Sequence, residues 1–206
     1  MQVRLLNSLN NAEKIMFVAC RTCYSNKTAD ELLNDEVNTD LLLKVLRSGH
    51  HSILEHIQAT FSIEGVSRSL LAQISRHRHI SLSVRSQRYC KFDFDYILPE
   101  SIKSNKAVDD LLWKITDTYC QLVDGGIKKE DARAILPNAS VTNMILSCNL
   151  RELVHICNLR LCLRSQAEIR SMVGLMRDCV VKELPLMKEF LVPKCKTCTE
   201  SEKCNA

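Results

Sequence analysis

Between Arg76 and Tyr89 the chain reads RHRHISLSVRSQRY: four arginines, two histidines, three serines and a tyrosine, with no acidic residue among them. Arginine forks and serine hydroxyls are directional donors suited to phosphate oxygens. Arg76, His77, Arg78 and His79 are consecutive, so on a helix they would point in several directions instead of along one solvent face. The plain alternative is a solvated helix end. Ser81, Ser83 and Ser86, followed by Arg88 and Tyr89, make a hydroxyl-rich turn with helix-breaking character and favour a phosphate pocket.

Arg160 is the second informative cation. On a helix started at Asn149 it follows Cys157, Ile156 and Leu153 by three, four and seven positions, which places it on the apolar face. A guanidinium there must meet an anion or a polarised carbonyl, or else form an internal salt bridge. Arg133, in EDARAILP, sits beside an apolar run and invites the same question. GHHSILEH offers His50, His51, Glu55 and His56, but the spacing matches neither common zinc helix pattern. The C-terminal PKCKTCTESEKC holds Cys195, Cys198 and Cys204, and no histidine follows to complete a four-ligand set. No metal is expected at either place, and the tail reads as a frayed end with thiols.

The elements that must position these groups are helical with a few strands. MQVRLL opens as a short strand. Residues 39–48 have helical spacing, with Thr39 or Asp40 placed to cap and Gly49 to end the helix. Ile57, Ala59, Phe61 and Ile63 alternate with polar residues, as in a strand with one buried face. SRSLLAQISRHR returns to helical spacing and runs into the cationic segment. FDFDYILP reads as extended up to Pro99, residues 107–123 as an amphipathic helix, and a short helix is expected from Lys129 to a stop at Pro137. From Val141 to Phe190 the pattern is mostly helical, with Asn149 and Glu152 forming a capping box. The fold class is α+β: one helix-rich domain with a small sheet over residues 1–192, and a cysteine-containing tail over 193–206.

Composition narrows the function. A net charge of +4 and a pI near 8.5 fall short of a dedicated nucleic-acid binder, so the cations are clustered more than abundant. A polynucleotide-binding module built on residues 76–89 is the competing class. An aromatic content of 5%, with no aromatic among the cations before Tyr89, counts against base stacking. No targeting or membrane-spanning segment is visible. Most of the eleven cysteines sit singly in apolar runs, as expected of a reduced, cytoplasmic protein.

RHRHISLSVRS fits Arg-His-Arg, seven residues, then Ser, and it continues with QRY. Together with RTCYS, GHHSILEH, ARAILP and CNLRELVHICNLR, in that order over about residues 20–190, it resembles the flavin-dependent thymidylate synthases. The resemblance implies methylation of dUMP to dTMP, with the carbon from 5,10-methylenetetrahydrofolate and the hydride from NADPH through bound FAD. It also implies a homotetramer with shared active sites and no nucleic-acid or membrane partner. By position, Gln73, Arg76, Ser86, Gln87, Arg88, Arg133 and Arg160 would hold dUMP, with the backbone from Val84 to Arg88, including Arg85, along its phosphate. His50, Ser52, Arg76, His77, Arg78, His79, Asn149, Arg151 and His155 would contact FAD. Arg160 is the expected catalytic residue, facing the uracil ring. The chain departs from the family at Val84 and Arg85, where Glu or Gln and Leu are usual. A divergent flavoenzyme with another pyrimidine substrate is the further alternative. No cysteine follows a proline, which speaks against the unrelated cysteine-dependent synthases. Ser86 has no base at motif spacing beside it, so a nucleophile-free route is expected.

Overall fold

Strand formation begins where the apolar alternation is cleanest, at Ala59, Phe61 and Ile63, all fully buried. In this computed structural model residues 1–90, 92, 94–195, 198 and 204 are described. Along the chain come β1 (Gln2–Leu5), α1 (Ala12–Thr22), α2 (Ala29–Asn34), α3 (Thr39–Arg47) and a 3-10 helix over His51–His56. They are followed by β2 (Gln58–Ser67), α4 (Arg68–Ile74), β3 (Ile80–Val84), α5 (Lys106–Asp124), α6 (Lys129–Ala132) and a 3-10 turn over Arg133–Ile135. The chain then forms β4 (Val141–Asn149), α7 (Leu150–Arg160), α8 (Ala167–Glu183) and a 3-10 helix over Pro185–Glu189. The strands make one antiparallel sheet in the order β1-β2-β4-β3. Leu70, Ile74, Leu150, Leu153, Ile156, Ile169, Met172 and Met176 of α4, α7 and α8 share the core with the buried residues of β2 and β4. No helix among the described residues is long and apolar enough to cross a membrane.

Most of the sequence-derived elements are present within a residue or two. Two differ, and the differences bear on the site. Residues 141–149 are strand β4, not helix. Their apolar run fits both periods locally, a known ambiguity of short runs. Pairing decides it: β4 lies between β2 and β3, so both of its edges are hydrogen-bonded. Thr142, Met144, Leu146 and Cys148 then face the core, while Ile145 on the other face is 36% exposed. The second difference is at the cationic run. Helix α4 stops at Ile74, and Ser81 and Ser83 lie on the exposed face of strand β3. Arg76 to His79 therefore occupy a turn between helix and strand, and the fanning of their side chains comes from that turn.

The helix caps also differ in detail. Asn38, not Thr39 or Asp40, accepts from Leu41 N at 2.8 Å to start α3, and Gly49 takes a positive φ of 86° after it. Asn149 Oδ1 accepts from Glu152 N at 2.8 Å, but only half of the capping box forms, because the Glu152 side chain is turned to His77. Tyr96 bridges Ser140 and Ile97 N donates to Ala139 O at 2.8 Å, so the expected extended chain is found there, whereas Phe94 takes a positive φ of 59° and interrupts it; Lys91 and Asp93 lie outside the described residues.

Helix α4 is held by a buried polar pair. Ser67, 1% exposed, accepts from Leu70 N at 3.0 Å as its N-cap. The same hydroxyl donates to Glu168 Oε2 at 2.6 Å, and Ser67 N donates to Glu168 Oε1 at 2.7 Å. Ser67→Ala removes a cap and leaves a carboxyl oxygen at α8 short of a donor. The expected loss is about 1–3 kcal/mol, seen as a lower urea midpoint. An unchanged midpoint would show that water replaces the hydroxyl without cost.

Candidate functional site

Two adjoining clefts open where α4, the turn after it and α7 meet. One, about 410 Å³, is bordered by Arg76, His77, Arg78, His79, Glu152, His155, Leu159 and Arg160. The other, about 540 Å³, is bordered by Glu55, His79, Asn149, Arg151, Glu152 and His155. His79, Glu152 and His155 belong to both, so the two form one elongated hollow. The sequence-derived residues Arg76, His77, Arg78, His79, Asn149, Arg151, His155 and Arg160 are all brought to it.

Arg160 ends α7, one turn beyond the buried Cys157 and Ile156. Its NH2 group donates to the Gln73 carbonyl at 3.0 Å and its Nε donates to His77 Nε2 at 3.1 Å. No carboxyl group pairs with it among the described residues, so of the options left by the sequence the polarised carbonyl is the one realised. Because His77 Nε2 accepts, the ring proton of the neutral imidazole lies on Nδ1, which faces Glu152 Oε1 at 3.3 Å. His77 is 6% exposed. Burial and then the Arg160 guanidinium hold its pKa below the ordinary value of 6.5, against the opposing pull of Glu152. Both ring nitrogens of His77 are thus engaged inside the chain. It holds Arg160 and also borders the cleft.

His77, Glu152 and His155 bring possible metal ligands together. Their arrangement suits a proton-orienting role better, because the guanidinium bonded to His77 repels a cation there. GHHSILEH gathers no such group among the described residues. His51 Nε2 contacts Leu46 O at 3.1 Å, and Glu55 pairs with Arg151. His50 and Ser52 are exposed and border neither cleft. Gln73 presents its carbonyl to Arg160, while its amide reaches Gln166.

The remaining dUMP candidates stand apart, beyond β3. Arg85, Ser86 and Gln87 line a small depression together with Arg68. Val84 packs its side chain against the core and pairs with Met144. Two backbone donors expected to line a phosphate are already used: Arg85 N donates to Asn143 O at 3.0 Å, and Arg88 N to Ser86 Oγ at 3.2 Å. Arg88 forms an ion pair with Glu130 at 2.7 Å, and Arg133 donates to Glu130 O at 3.2 Å.

Arg68 escaped the sequence reading. Its NH2 group donates to Arg85 O at 2.7 Å, and its Nε is buried without a hydrogen-bond partner. Its pKa is lowered by burial and by the nearby cations Arg133 and Arg85. A partly buried guanidinium held among like charges, with an unmet donor, is set up for an anion. The usable signal was its place directly after the N-cap Ser67, at a strand-to-helix junction. Glu152 was also underrated, because its capping role masked its contact with His77.

His77 generates a pH prediction. Its depressed pKa means that its contribution to stability is complete above the ordinary imidazole range and is lost as the pH falls below it. In urea titrations across that range, wild type should lose stability more steeply than His77→Gln, by up to about 1.4 kcal/mol per pH unit. Equal slopes would mean that His77 takes up a proton as readily in the folded chain as in the unfolded one.

Residues 4–186 match the family described as thymidylate synthase complementing protein. A flavin-dependent thymidylate synthase of Geobacter sulfurreducens is 38% identical over 207 residues, covering 96% of this chain and 89% of the relative. One of Pyrococcus furiosus is 37% identical over 185 residues, covering 84% and 75%. The structure of thymidylate synthase X from Helicobacter pylori with FAD and dUMP superposes with a TM-score of 0.74 at 25% identity, covering 93% of this chain and 99% of that one. The UMP/dUMP methylase PolB of Streptomyces cacaoi, bound with 5-Br dUMP, shares the fold with a TM-score of 0.79 at 23% identity, over 91% and 93% of the two chains. A match of this extent, carrying the Arg-His-Arg run into the same cleft as Arg160, places the chain in the thymidylate synthase complementing protein family.

Proposed function

We infer that the protein is a flavin-dependent thymidylate synthase of the cytoplasm, forming dTMP from dUMP with 5,10-methylenetetrahydrofolate, NADPH and FAD. The observation that carries this reading is Arg160: a guanidinium at the end of a buried helix, held by a carbonyl and a neutral histidine, with no carboxyl partner among the described residues. Such a group is poised for a polarised ligand oxygen. The elongated, cation-lined hollow suits a long cofactor bearing a pyrophosphate, and FAD when bound supplies the reducing hydride. Arg76, Arg78, His79, Asn149, Arg151 and His155 are assigned to it, with Ser52 and His50 at its margin. Arg160 is assigned to the uracil ring, where a fixed positive charge favours negative charge developing on a carbonyl oxygen. His77 and Glu152 fix the direction of that guanidinium. Ser86 Oγ accepts from Arg88 N, a turn-forming role that leaves no call for it as a nucleophile.

Arg68, Arg85, Ser86, Gln87, Arg88 and Arg133 are assigned to the dUMP phosphate. From His79 to Ser86 the chain runs along β3, a span of roughly 20 Å. Arg160 and Ser86 line separate depressions, so each of the two groups can meet a different part of a ligand or a different chain's ligand. The phosphate group of one copy and the Arg160 cleft of another would complete each shared site in a homotetramer. The departures at Val84 and Arg85 fit here: Val84 fills the core, and Arg85 adds a cation beside Arg68.

Arg160→Ala should nearly abolish dTMP formation while FAD stays bound, and Arg88→Ala should be strongly impaired. Dissociated and reassociated together, the two variants should regain activity, because some sites then receive an intact contribution from each chain. Failure to regain any would argue for sites built within one chain. Arg68→Ala should raise the dUMP concentration needed for half-maximal rate by at least about tenfold, the worth of one charge-assisted hydrogen bond. An unchanged dUMP dependence would remove Arg68 from the phosphate group. Product formation that stops when FAD is stripped, and returns when it is restored, tests the function as a whole.

A further inference from the structure

Aromatic residues are scarce in this chain and unevenly placed. Five of the ten phenylalanine, tyrosine and tryptophan residues fall between Phe92 and Tyr119. The buried Phe92 is their hub, with ring centroids 5.5 Å from Phe94, 5.3 Å from Tyr96 and 6.1 Å from Tyr119. With Tyr119 and Ala132 it makes a small core of its own, apart from the main one. Beside this core lies a pocket of about 270 Å³, bordered by Phe94 and Tyr96 and, on α5, by Asp109, Leu112, Trp113 and Thr116. It shares no bordering residue with the Arg160 clefts or the Arg68 depression.

Leu112, Trp113 and Thr116 follow Asp109 by three, four and seven positions, so a single stripe of α5 supplies one wall. The Tyr96 hydroxyl is hydrogen-bonded to Thr116 Oγ1 at 2.8 Å, which ties the facing wall to the helix. Phe94 holds a φ of 59°, in the left-handed region that bulky residues rarely adopt. Strain of this kind persists only where its surroundings impose it, and it gathers at ligand sites. Trp113 remains 75% exposed, although a tryptophan ring carries a large apolar area that the fold would otherwise bury. The Asp109 side chain makes no hydrogen bond or ion pair among the described residues. An unpaired carboxylate beside three aromatic rings gives the pocket apolar walls and a negative potential.

We propose that this pocket binds an alkylated ammonium group, with Phe94, Tyr96 and Trp113 as its aromatic walls and Asp109 as its counter-charge. Aromatic rings attract a cation through their quadrupole, tryptophan most strongly, and recognition of quaternary ammonium groups by such walls is a recurrent use of that attraction. The methyl groups of the ligand cover Leu112 and the rings, while its charge answers the carboxylate. A phosphate or carboxylate ligand would be repelled by Asp109, and a neutral one would leave that charge unanswered. A free quaternary amine and a methylated lysine side chain present the same chemistry, and the volume suits a group of that size. The inference does not depend on the reaction assigned above.

Trp113 is the single tryptophan of the chain, so full-length protein labelled with fluorotryptophan gives one fluorine resonance that reports on the pocket. Choline should shift that resonance saturably. Its uncharged carbon isostere, with a tert-butyl group in place of trimethylammonium, should bind at least about fivefold more weakly. Asp109→Asn, an exposed position, should raise the choline concentration for half-saturation by about threefold, with the circular dichroism spectrum unchanged. A short peptide carrying trimethyllysine, compared with its unmodified form, distinguishes the sources. Tighter binding of the methylated peptide than of choline assigns the group to a protein partner, and the reverse order assigns it to a free amine. The proposal is overturned if neither choline nor the methylated peptide shifts the resonance saturably. It is also overturned if the neutral isostere binds as well as choline, or if Asp109→Asn binds choline as tightly as wild type.

Discussion

A guanidinium cannot remain at the end of an apolar helix without partners, and the arrangement of the rest of the molecule around Arg160 follows from meeting that requirement. Its two acceptors come from one short stretch, the Gln73 carbonyl near the end of α4 and His77 in the turn beyond it. His77 can accept only while its own proton points to Glu152, which stands on the same helix as Arg160. Cation, neutral imidazole and carboxyl group therefore define one another's orientation. Desolvation strengthens each of these contacts and raises the cost of breaking any of them.

The sheet makes that meeting possible. Strand β2 passes directly into α4 and β4 directly into α7, and the two strands are antiparallel neighbours. Ser67 pairs with Val141 and Gln58 with Asn149, so the helices depart from opposite ends of the strand pair. The helices' far ends, not their starts, then come together, and Gln73 reaches Arg160. The pair Ser67–Glu168 ties the start of α4 to α8, so the direction of α4 is set by hydrogen bonds as well as by packing. Strand β3 then carries the chain away from the cleft and delivers a second group of cations about Arg68 and Ser86. One cationic motif in the sequence is thereby divided between two depressions.

Local rules carried much of this from the sequence alone. The buried alternation in β2, the helical spacing of α3 and α5, and Asn149 as the start of α7 depend on neighbours within four residues. The cations of the cleft were also legible, because four consecutive cationic residues from Arg76 to His79 cannot share one solvent face and Arg160 falls on the apolar face of its helix. Where two periods fitted equally, as over Val141–Asn149, local spacing could not choose. The choice fell to β2 and β3, whose backbone groups needed a central strand between them.

By itself the sequence determined which chemistry is present: donors for anionic oxygens, a helix that ends in a cation, caps, and a thiol-rich tail. Only the tertiary structure decided which groups keep company. It turned His77 inward as a partner of Arg160, revealed Arg68 as a cation short of an acceptor, and put Ser86 and Arg160 in separate depressions. The physical reason is range. Propensities, caps and amphipathic periods act over a few residues, whereas the partner of a buried charge is set by strand register and helix packing between segments far apart in the chain.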